Sequence, residues 1–196
     1  MAYYHASQVK DIEILKPHIS NHKVPLVYFS DKRENVLVYL SNAVEKFCKE
    51  QNFKHEGTYS KWGPYGFEKD GRLRFEEYYP NALEETYRGV SGIIYSCKTI
   101  HINSEMNIGI PNAYVSSEPE KVDKCEYIED ACEELLSAER EGLITIVRYD
   151  EFIKKKKDWL DKVIKQEYLD SESQPEYRFF LEKKFIDIDV TSTDKI

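Results

Sequence analysis

The chain contains no apolar run of the ~18 residues that a membrane-crossing helix needs. Its start lacks the basic segment leading into an apolar stretch that marks a secretory signal. No membrane partner is expected, and a cytoplasmic location is. Positive charge is also in short supply, since 28 Lys and Arg stand against 36 Asp and Glu for a net charge of −8. Neutralising a phosphate backbone needs clustered cations, so nucleic acid is not expected as a partner. The four cysteines, Cys48, Cys97, Cys125 and Cys132, are widely spread without a C-x-x-C, which argues for thiols and against a disulfide framework or a zinc site. G-x-x-x-x-G-K, G-x-G-x-x-G and G-x-S-x-G are all absent, so P-loop, Rossmann and serine-hydrolase readings have no support. His18 and His22 stand four apart, but Pro17, Ser20 and Asn21 oppose the helix that would align them, and no metal is expected.

The pattern that is present reads as a single α+β domain over residues 1–196, with a core over 1–148, a helical extension over 149–185 and a tail over 186–196. Residues 2–5 suggest a first strand with Tyr3 and His5 on one face and Tyr4 on the other, because strand side chains alternate. Residues 24–30 suggest a second, with Leu26, Tyr28 and Ser30 on one face and Val27 and Phe29 on the other. Ser30 or Asp31 is placed to cap a helix running to Gln51, whose stripe is Val36, Leu37, Leu40, Val44 and Phe47. Asp70-Gly71 marks a hairpin tip, and Pro80 and Gly89 bracket a short helix. Strands are expected over 92–100, 113–117 and 121–128, helices over 129–141, 150–168 and 176–185, and an apolar segment of either type over 143–147.

Three stretches carry a resemblance. Tyr4-His5-Ala6-Ser7, then Val27-Tyr28-Phe29-Ser30, then Tyr114-Val115-Ser116-Ser117-Glu118-Pro119 are together similar to small bacterial ADP-ribosyltransferases of the rifampin-modifying type. In that family H-G-T is followed by an aromatic before Ser or Thr and then by Y-x-S-x-E-P. Ala6 departs from the family glycine. The resemblance implies a split, mixed, mainly antiparallel sheet around an NAD-type cleft with flanking helices, and NAD as co-substrate. It places His5, Ser7, Tyr28 and Ser30 in the cofactor-binding set, with the imidazole on a ribose and the Tyr28 ring on nicotinamide.

Cleaving the nicotinamide N-glycosidic bond passes through an oxocarbenium-like state, so an acid must steady the positive charge. Glu105 is the first choice by its position ahead of the third stretch, and Glu118 the second. The partner is then a small dinucleotide, with the acceptor of ADP-ribose left open. The alternative is a non-catalytic module that uses the same cleft to bind a nucleotide or a protein. His55 and His101 stand isolated in the sequence, and Lys154 to Lys157, flanked by acids at i±4, reads as a solvated helix face.

Overall fold

The computed structural model describes residues 1–19, 24–106 and 108–188. His22, and with it the His18/His22 spacing, lies outside the described residues, as do residues 189–196 of the expected tail. In chain order the first strands are β1 (Tyr3–Ser7), β2 (Ile14–Leu15), β3 (His18–Ile19) and β4 (Pro25–Ser30). A 3-10 helix (Arg33–Leu40) and α1 (Ala43–Glu50) follow, then β5 (Tyr65–Phe67), β6 (Leu73–Glu76), α2 (Ala82–Tyr87) and β7 (Gly92–Cys97). The remainder is β8 (Ala113–Ser116), β9 (Glu120–Lys121), β10 (Lys124–Ile128), α3 (Ala131–Arg140), β11 (Thr145–Val147), α4 (Tyr149–Asp170) and α5 (Pro175–Lys184). The class is α+β with open, mainly antiparallel sheets.

The chain forms two compact units, one from 1–41, 65–74 and 87–145, the other from 42–64, 75–86 and 146–196. The C-terminal helices therefore belong with two segments drawn from within residues 1–148, a long-range interleaving that local patterning does not reveal.

The first unit is built on the sheet ordered β10-β7-β1-β4-β3, with β8 pairing β4. On one face Leu15, Val27, Phe29, Ile93, Tyr95 and Cys97 make a core. The 3-10 helix contributes Val36, Leu37, Val38 and Leu40, each at most 2% exposed. Gly92 is required where it stands, since a Cβ there would meet Leu40 Cδ2 at 2.5 Å and the Ser7 carbonyl at 3.2 Å. The single helix expected from Asp31 to Gln51 is in fact two. Asn42, extended at φ −121°, accepts from the Val44 amide and starts α1 afresh, so the Ser41-Asn42 pair is a cap that breaks the run. The Asp70-Gly71 hairpin forms as expected, with Gly71 at φ +77° and its amide donated to the Glu68 carbonyl. The segment expected as one strand over 121–128 divides into β9 and β10.

The second unit packs aromatic rings. Phe180 is fully buried and lies against Phe47, Trp62, Tyr79, Tyr177 and Phe185. Trp62 is thereby part of this core, whereas in the first unit Tyr65 packs edge-on against Tyr39 and Phe67 against Tyr65. Two buried carboxylates hold the helices. Glu77 accepts from the amides of Leu83 (3.1 Å) and Tyr149 (3.2 Å). Glu176, 2% exposed, accepts from the Ser60 hydroxyl (2.8 Å) and amide (3.2 Å). On α4, Lys155 and Lys157 pair with Glu151 and Asp161 one turn away, as a solvated face requires.

Candidate functional site

Strand β1 pairs with β7 over its whole length, from Tyr3↔Cys97 to Ser7↔Ile93. With β4 its register is Tyr4↔Ser30, and β3 pairs with β4 farther back, at His18↔Leu26 and Ile19↔Pro25. Tyr28 sits between those two pairings. Its carbonyl accepts from the imidazole Nδ1 of His5 at 2.9 Å, so a side chain takes the place of a ladder bond where the strands part.

That bond fixes the chemistry of the ring. A carbonyl only accepts, so Nδ1 carries the hydrogen. Burial lowers the His5 pKa, opposed by the bond to Tyr28 and assisted by nearby His18, which keeps the imidazole neutral near pH 7. Nε2 then presents a lone pair, with no hydrogen bond to it among the described residues. A hydroxyl can donate to it.

The expected facing of His5 and Tyr28 into one hollow needs correction. Because Tyr4 is opposite Ser30, alternation puts the Tyr28 ring on the face of Tyr4 and Ser30 and the His5 ring on the other. The His5 ring accordingly lies 6.0 Å from that of Phe29, while Tyr28 acts electrostatically on Tyr39 of the 3-10 helix. The two residues meet at the strand edge, ring to main chain, and their rings do not share a face. The sequence showed each strand's alternation but not the register between the strands, which decides the outcome.

Ser30 and Ser7 have architectural partners. The buried Ser30 hydroxyl donates to the Asn112 carbonyl (2.9 Å) and accepts from the Lys32 amide (3.1 Å), and the Ser7 hydroxyl accepts from the Val9 amide (3.1 Å). The acids lie elsewhere. Glu105 is exposed on a loop after β7, where its amide donates to the Asn103 side chain and Asn103 is tied to the Val115 carbonyl at 2.8 Å. Glu118 is exposed on the turn after β8, its amide on the Ser116 hydroxyl. Neither carboxylate bonds to His5, Ser7 or Ser30 among the described residues.

The third stretch proves to be a set of supports. Tyr114 donates to Asp31 Oδ2 (3.0 Å), and Asn112 reaches the same oxygen at 3.3 Å. Burial and that bond raise the Tyr114 pKa. Ser116, fully buried, donates to Glu120 Oε1 at 2.6 Å. Glu120, 3% exposed, also accepts from the His101 amide (2.6 Å), and both its oxygens stand 3.3 Å from the His101 Nδ1. His101 is therefore not isolated. Glu120 was not among the acids expected from the sequence. The available signal was that Ser116 and Glu120 lie four apart about a proline turn. No group of three or more His, Cys, Asp or Glu arranged for a metal ion occurs among the described residues.

No family model, curated protein or solved structure matches the chain.

Proposed function

We propose that the chain binds NAD where β1 and β4 part, and that it is an ADP-ribosyltransferase-like protein on the fold its three sequence stretches imply. The observation that carries this reading is the state of His5. Nδ1–H is held by the Tyr28 carbonyl, and a neutral ring leaves Nε2 to accept from a ribose hydroxyl. The Tyr28 ring lies on the opposite face of the sheet from the His5 ring, so its contact with nicotinamide needs a test of its own. Tyr28→Ala therefore separates the roles: it should weaken binding of NAD more than of ADP-ribose, which lacks the nicotinamide.

Transfer needs a carboxylate beneath the positive charge that develops as the C1′–N bond breaks. Glu105 fills that role first and Glu118 second, delivering ADP-ribose to an acceptor whose identity the residues do not name. Release of nicotinamide from NAD tests this directly. Glu105→Ala should abolish release, and release that survives in both Glu105→Ala and Glu118→Ala removes the assignment.

A second reading is a nucleotide- or protein-binding module without transfer. It is favoured by the exposure of both acids and by the absence, among the described residues, of a bond joining either to His5. Saturable NAD binding without nicotinamide release supports it.

A further inference from the structure

Within the first unit, the loop that carries Glu105 also carries His101, whose side chain is 75% exposed. Beneath it lies Glu120, almost wholly buried, with Oε1 engaged by the Ser116 hydroxyl and the His101 amide at 2.6 Å each. The same carboxylate stands 3.3 Å from Nδ1 through either oxygen. A carboxylate only accepts, so Nδ1 is the protonated nitrogen and the outward Nε2 is free to take a proton. A buried acid orienting an imidazole whose far nitrogen faces solvent is the arrangement of a general base with its positioning group. Ser116 fixes Glu120 in turn. Ser116 of the Y-x-S-x-E-P stretch is thus linked through Glu120 to the loop holding both His101 and Glu105.

We propose that His101 is the catalytic base that takes the proton from a hydroxyl acceptor, with Glu120 as its positioning residue; this rests on the transferase reading above. The C1′–N bond of NAD breaks with its electron pair passing to nicotinamide. The acceptor oxygen forms the new bond to C1′, its proton moves to Nε2 of His101, and from there it passes to solvent. The acceptor proposed is an alcohol or water, whose weakly acidic hydroxyl gains most from a base as the bond to C1′ forms.

Methanol and azide, offered separately with NAD, test the assignment, because azide attacks without losing a proton. His101→Gln should lower formation of methyl ADP-riboside by about 100-fold and leave the azide product within about threefold of the unmodified chain. Glu120→Gln should show the same selectivity with a smaller loss. An equal fall with both nucleophiles, or no fall with methanol, overturns the base assignment while the transferase reading stands. An unmodified chain that binds NAD yet forms neither product overturns the transferase reading and the base with it. NAD binding by His101→Gln, followed by calorimetry, separates loss of the base from loss of fold.

Discussion

The two compact units use buried polar groups differently. In the second, each carboxylate taken out of water is consumed by the fold, with Glu77 on two amides and Glu176 on the Ser60 hydroxyl and amide, all within an aromatic core. In the first, Glu120 is likewise held by the Ser116 hydroxyl and the His101 amide, whereas the fold uses only one ring nitrogen of the half-buried His5. The other nitrogen is not among the buried unpaired atoms, so solvent reaches it and a donor can take that solvent's place.

The comparison breaks most severely if the aromatic unit is not held by its rings. Phe180→Ala should cost about 3–5 kcal/mol, from lost burial plus the cavity left behind. Urea unfolding reads it, and a loss under about 1 kcal/mol would mean that the site repacks freely.

Glu176 comes next. Burial opposes its ionisation, but the hydrogen bonds from Ser60 and the nearby His55 outweigh burial and hold its pKa below the usual glutamate value. A depressed acid stabilises above its unfolded pKa and loses that contribution as pH falls through its folded value. Glu176→Gln should therefore cost about 1–3 kcal/mol at pH 7 and flatten the fall in stability on acidification. An unchanged acid slope in the variant would contradict this.

His5 gives a smaller effect in the other unit. Its folded pKa is lowered, so its contribution is complete above the ordinary histidine value and is lost as pH falls through the lowered one. His5→Ala should cost about 1 kcal/mol near pH 7, with the difference from the unmodified chain shrinking in acid. Smallest of all, Lys155→Gln on the exposed face of α4 should change stability by no more than about 0.5 kcal/mol, and a larger loss would show that the lysine run has a structural role.

Much of the element order was legible from periodicity and punctuation. Asp70-Gly71 turns the β5–β6 hairpin, Asp130 caps α3 through the Cys132 and Glu133 amides, and Pro175 opens α5. The break at Asn42 was hidden because the apolar stripe runs straight through it, while a side-chain cap decides the boundary. Within the candidate site, His5 and Tyr28 do meet, but the way they meet depends on the Tyr4↔Ser30 register, a long-range property that no local pattern encodes. Glu120 was legible only through its spacing of four from Ser116. Its strand partner, Leu15 of β2, lies more than one hundred residues away in the chain, so its burial has no local sign.

In the proposed function the open nitrogen of His5 accepts from a ribose hydroxyl. Calorimetric titration of NAD into the unmodified chain and into His5→Ala tests it most directly. Saturable heat should disappear in the variant while its far-ultraviolet circular dichroism is retained. Absence of binding at millimolar NAD, or equal affinity in the two proteins, would contradict it.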